Sequence, residues 1–152
     1  MGTLRLAAVV LLVAAAGCAA ERVNTMSFAS FREARDAGAV ARGWVPAVLP
    51  EGAYELRAAY EPDGWKRWGI LNFRTGDTAA LRGVLDAAEV SLDGTRIDIP
   101  GRIEWWPLAL RGKLDHESLG ATGLQAYQVK EAPFILAVNW AQGRAYYWAT
   151  AP

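Results

Sequence analysis

Cysteine and histidine each occur once in these 152 residues. A single thiol closes no disulfide within the chain, so the fold rests on packing alone. One His and one Cys cannot supply the three or four nitrogen and sulfur ligands of a zinc site. Nucleophilic triads need an imidazole to take the nucleophile's proton. The one candidate, His116 in Leu114-Asp115-His116-Glu117-Ser118, reads as a solvated loop residue, because chain neighbours seldom aim at one point. Asp93–Asp98 lacks the ligand spacing of a calcium loop. Gly64, Gly69 and Gly76 stand at turn and strand positions without the Lys-Ser/Thr ending of a phosphate loop. No metal or cofactor is expected. Net charge is absent as well, with 16 basic and 16 acidic residues, and the 13 Arg and 3 Lys form no cluster. That balance argues against nucleic acid and against electrostatic attachment to anionic lipid.

Long apolar runs are missing too. Leu6–Ala16 counts 11 residues, against roughly 18 for a spanning helix. Its length suits the apolar core of a signal peptide, preceded by Arg5 and followed by small residues. Ala15-Ala16-Gly17-Cys18 resembles the cleavage box of bacterial lipoprotein signal peptides, with Ala15 where a Leu is usual. The resemblance implies cleavage between Gly17 and Cys18 and a lipid-bearing Cys18, usually with three acyl chains, and more than one chain is what stable anchoring needs. Ala19 is not the Asp that commonly marks inner-membrane retention, so the resemblance implies the outer membrane of a bacterial envelope.

Three segments follow from this: a signal peptide at 1–17, a short tether at 18–26 and a single α+β domain at 27–152. Removing the signal leaves 135 residues with a net charge of −1, enough for one domain with a genuine core. The eight residues Ala19–Met26 span at most about 27 Å when extended, which holds the domain close to the membrane.

Within the domain, Ser27–Ala37 reads as a helix. Ser30 and Glu33 have capping-box spacing, Ser27 is an alternative cap, and Phe28, Phe31 and Ala34 form an apolar stripe that ends before Gly38. Pro46 and Pro50 prevent a helix through Trp44–Pro50. Ala53–Glu61 alternates as a half-buried strand, with Tyr54, Leu56, Ala58 and Tyr60 on one side. A turn at Glu61-Pro62-Asp63-Gly64 leads to a central strand over Arg67–Arg74. Asp77 is placed to cap a second helix over Thr78–Ala88, followed by short strands at Arg96–Ile99 and Arg102–Trp106. Pro107–Thr122 is irregular, with a helical turn near Leu108–Leu114. Strands close the chain at Leu124–Val129, Phe134–Trp140 and Arg144–Ala149, the last two joined by Ala141-Gln142-Gly143. The expected fold is an antiparallel sheet of about five strands with two helices on one face.

Gly43-Trp44-Val45-Pro46 followed by Leu49-Pro50 is similar to an element of a group of small bacterial lipoproteins. There too a strand–turn–strand and a capped helix follow, as Trp68–Phe73 and Asp77–Leu85 do here, and Trp105-Trp106-Pro107 fits the same pattern. The resemblance spans residues 27–107 and implies class and location, without an activity.

Seven Trp are the remaining signal. Most large rings fill cores. Trp65 and Trp68 flank Lys66-Arg67 near a turn, where exposed rings beside cations meet partners. Alternation puts Trp106 beside Glu104 on one strand face, at the margin of the core, and Trp105 inside it. The three candidate binding aromatics are therefore Trp65, Trp68 and Trp106. The expected role is a non-enzymatic binding or structural module at the envelope, touching the membrane through lipid and an envelope protein or the cell wall through its domain. Two alternatives remain: a polysaccharide hydrolase using paired carboxylates such as Glu104, and an inhibitor of a lytic enzyme presenting a loop at Lys113–Gly123.

Overall fold

The computed structural model describes residues 22–152; Gly17 and Cys18, with the expected cleavage site and lipid attachment, lie outside them. Within the described residues nine strands and three short helices follow one another. They are β1 (Asn24–Ser30), α1 (Phe31–Asp36), β2 (Tyr54–Tyr60), β3 (Arg67–Asn72), α2 (Thr78–Gly83), β4 (Leu85–Glu89), β5 (Arg96–Ile97), β6 (Gly112–Lys113), α3 (His116–Gly120), β7 (Gln125–Val129), β8 (Phe134–Asn139) and β9 (Arg144–Ala149). Seven of the strands form one antiparallel sheet in the order β1-β2-β3-β9-β8-β7-β4, and β5 and β6 pair separately. The α+β class and the antiparallel sheet match the expectation; the sheet is wider than the five strands expected.

The two extra strands come from segments whose apolar spacing also fits a helix. Ser27–Ser30 belongs to β1, not to the first helix, and Asn24–Met26 belongs to β1, not to the tether. Phe28 satisfies both periods, three residues before Phe31 and two after Met26. Pairing with β2 across Phe28↔Leu56 and Ser27↔Arg57 decides for the strand. Ser30 does cap α1: its hydroxyl accepts from the Glu33 amide at 3.2 Å, while the Glu33 carboxylate reaches back to the Ala29 amide at 2.6 Å. The second helix likewise ends at Gly83. Val84 gives its carbonyl to the Lys130 amide and Leu85 pairs with Val129, so Leu85–Glu89 is an edge strand. Asp77 makes no side-chain cap there.

Each face of the sheet carries its own core. On the first face Leu56, Leu71, Leu136 and Tyr147 meet Phe31 and Ala34 of α1, Leu81 of α2, and Val45 and Leu49 of the Trp44–Pro50 segment. The Tyr147 hydroxyl donates to the Trp44 carbonyl at 3.0 Å, and Trp44 stacks on Tyr60 with ring centroids 3.9 Å apart. Burial raises the pKa of this phenol well above its ordinary value. Gly69 lies directly across from Tyr147 in the ladder, and a Cβ there would sit 2.0 Å from the ring. The glycine is required because the ring occupies its side-chain space.

On the second face Trp68, Trp148, Ile135 and Ala137 are covered by residues 90–124. Arg102–Trp106 is not a strand. Its carbonyls are taken by a side chain: the Arg111 guanidinium donates to the carbonyls of Ile103 and Trp106, and the Trp106 indole donates to the Leu110 carbonyl at 2.8 Å. Backbone groups satisfied in this way need no neighbouring strand. Leu108–Leu110 forms one helical turn, within the stretch expected to hold one.

Candidate functional site

Alternation along β1, β2, β3 and β9 sends Ser27, Arg57, Ile70, Asn72 and Arg144 to the second face. Residues 90–124 cover only part of that face. At the end of the sheet where β3 leaves at Asn72 and β9 enters at Arg144, a trough of about 580 Å³ remains open, with these five side chains in its lining and Trp105 as its wall. A slot of about 410 Å³ continues it past the edge of β1, between Thr25 and Ser27 on one side and Arg102, Glu104 and Trp105 on the other. Arg57 borders both.

The floor is held by a short polar chain. Asn72 donates its amide to Glu55 at 2.7 Å and accepts from Arg144 Nε at 3.0 Å through its carbonyl oxygen. The amide thus has one orientation, and one edge of the Arg144 guanidinium is fixed. Glu55 is reached through a bulge: its φ is +49°, and the β2–β3 register shifts between Tyr54 and Arg57. A left-handed glutamate is uncommon, and bulges of this kind re-aim side chains. Among the described residues Arg57 has no carboxylate within 4.0 Å and no hydrogen-bonding partner. An unpaired guanidinium between a second guanidinium and an indole wall fits a planar anionic group lying against an aromatic or sugar surface.

A second cavity, of about 380 Å³, lies at the other end of β3 and β9, lined by Trp65, Trp68, Arg96, Asp98 and Trp148. Trp65 is 43% exposed. Trp68 and Trp106, at 3% and 2%, are core residues and not surface platforms. Trp106 packs edge-on against Trp105, Tyr146 and Trp148. The expected roles of Trp105 and Trp106 are thereby exchanged. Without a strand at 102–106 the two rings do not alternate across a sheet, and the turn buries the second while leaving the first half-buried in the trough wall.

Glu104 and Glu55 are both exposed at the trough, an environment unlike the apolar pocket that makes a carboxyl group a general acid. The Glu51 carboxyl is held below its ordinary pKa by the Arg35 guanidinium, and that of Asp115 by the Ser118 amide it accepts from. His116 is exposed on the first turn of α3. Lys113–Gly123, expected as a presented loop, runs from β6 into α3, with Leu114 buried in the second core. Among the described residues no three His, Cys, Asp or Glu side chains come together to hold a metal, and no helix is long and apolar enough to cross a membrane.

Arg57, Asn72 and Arg144 were not among the residues singled out from the sequence. Arg57 alternates with buried residues and looks like any solvated strand position. Its only local signal is the neighbouring Glu55, and the trough exists only once β9 pairs with β3. Residues 21–72, about a third of the chain, match the family model described as the YbbD head domain. No curated protein and no solved structure matches the chain. The matched stretch runs from β1 to the end of β3 and carries Ser27, Arg57, Ile70 and Asn72, so what is similar to a YbbD head domain is three of the seven strands, with most of the trough floor.

Proposed function

We propose that this protein is a lipid-anchored bacterial envelope protein whose domain is a non-enzymatic binding module. Cys18 is its anchor, the outer membrane its location, and the trough its ligand site. The Ala15–Cys18 box supports the anchor, as does the resemblance around Trp44–Pro50 to small lipoproteins. The observation that carries the binding reading is Arg57, unpaired on the floor of an open trough between Arg144 and the Trp105 wall. The ligand class this chemistry suits is an acidic saccharide of the cell wall, its sugar face on Trp105 and its carboxylate on Arg57.

The mature lipidated protein in detergent, titrated with soluble carboxylate-bearing cell-wall glycan fragments, tests the reading. Arg57→Ala should weaken binding ~10-fold or more, the usual worth of a charge-assisted hydrogen bond, with unchanged thermal stability because the side chain is exposed. Equal affinity of the variant and the parent would remove the trough from the reading. Cys18→Ser should abolish acylation at residue 18, read from the mass of the N-terminal peptide.

A further inference from the structure

The chain enters the fold and makes its β2–β3 turn at the same end of the sheet. Asn24, the first residue of β1, lies opposite Tyr60, the last of β2, and its amide donates to the Tyr60 hydroxyl at 3.1 Å. The ladder closes one step further, where the Glu61 amide donates to the Lys66 carbonyl at 3.2 Å. Cys18 stands six residues before Asn24, a reach of at most about 20 Å. Val23 is already buried, which shortens the free part of that tether.

This turn carries an exposed indole. Trp65 and Leu108 are the two large apolar side chains left exposed among the described residues. The turn is hydrogen-bonded across itself, and one of its cations is paired. The Arg67 guanidinium folds back onto the carbonyls of Glu61, Gly64 and Lys66 at 2.8 to 3.2 Å, and Lys66 lies 3.5 Å from Glu61. A turn held by its own hydrogen bonds and presenting one Trp is suited to the headgroup region of a bilayer, where indoles concentrate for their mixed apolar and polar character.

We propose that the Glu61–Lys66 turn is a membrane-docking element, with Trp65 seated in the interface of the bilayer that holds Cys18. This rests on the reading of Cys18 as the lipid-bearing residue. The tether makes the contact intramolecular, so a single Trp suffices where it would not hold a free protein. The Asn72–Arg144 end of the trough lies at the other end of the strands, and its slot reaches back to Thr25, beside the chain entry.

The test uses the mature lipidated protein reconstituted into vesicles of phosphatidylethanolamine and phosphatidylglycerol, with acyl chains brominated near the headgroup. Bromolipid should quench part of the tryptophan emission of the parent protein. That quenched part should disappear in Trp65→Phe, whose Tm should match the parent, and it should persist in 0.5 M salt (roughly, a concentration that screens surface charge beyond a few ångströms). Equal quenching in parent and variant, or none in either, overturns the docking while leaving the anchor standing. The mass of the N-terminal peptide reads the anchor separately: an unacylated Cys18 overturns both.

Discussion

The two faces of the sheet are covered by layers built on different rules. The first meets α1, α2 and the Trp44–Pro50 segment, elements whose backbone is satisfied by their own turns and, at Trp44, by the Tyr147 hydroxyl. The second meets residues 90–124, which hold little regular structure and whose carbonyls at Ile103, Trp106 and Leu110 are gathered by Arg111 and Trp106. A layer held by side chains ends where those side chains end. It stops short of Arg57 and Ile70, and the trough is what it leaves uncovered. The first face is covered throughout; the second is covered in part and carries the candidate site.

The sharpest way to break this contrast is at Gly69. Gly69→Ala places a methyl group 2.0 Å from Tyr147 and should destabilise the protein by ~3 kcal/mol, lowering Tm by about 10 °C in a calorimetric scan. An unchanged Tm would mean that the first core yields as easily as the second. Next in size is Arg111→Met, which frees the carbonyls of Ile103 and Trp106 and should cost about 2 kcal/mol. Hydrogen exchange should then quicken across 100–111 while β2 and β3 stay protected, since the loss is local to one layer. Exchange that quickens equally in β2 would show that the two layers unfold as one.

The smallest effect belongs to Tyr147→Phe, which leaves the Trp44 carbonyl without its donor and should cost ~1 kcal/mol. This substitution also carries a pH signature. Because burial raises the Tyr147 pKa above the ordinary 10.0, the unfolded chain releases that proton first. The stabilisation is complete below pH 10 and falls as pH rises beyond it, by about 1.4 kcal/mol per pH unit. Urea midpoints from pH 8 to 11 should fall in the parent and flatten in Tyr147→Phe; parallel curves would place the alkaline sensitivity in other groups.

Local pattern was sufficient where one period had no competitor. Tyr54–Tyr60 largely alternates, Phe134–Asn139 is a short apolar run buried on both faces, and each forms a strand where its pattern lies. Ser30 with Glu33 and Gly38, whose φ is +79°, bracket α1 as their chemistry requires. Where two periods fitted the same residues, partners far along the chain decided. Phe28 went to a strand because Leu56 lay opposite, and Leu85 because Val129 did. Arg102–Trp106 alternates yet is no strand, since Arg111 supplies the donors that a neighbouring strand would otherwise have supplied.

The site was less legible than the fold. Trp65 was visible as an aromatic beside a turn, but Trp68 and Trp106 share its chemistry and are core residues. Exposure is a property of what packs on a residue, and no residue carries that in its own identity. The amino-acid sequence by itself determined a disulfide-free α+β chain rich in indoles, with the alternation, caps and turn glycines that build most of its strands. Only the tertiary structure decided that β9 lies beside β3, that an irregular layer stops short of Arg57, and that the turn bearing Trp65 stands at the end where the chain enters. Those facts join residues scores of positions apart, and the long-range pairing that joins them is set by the sum of two packed faces rather than by any local signal.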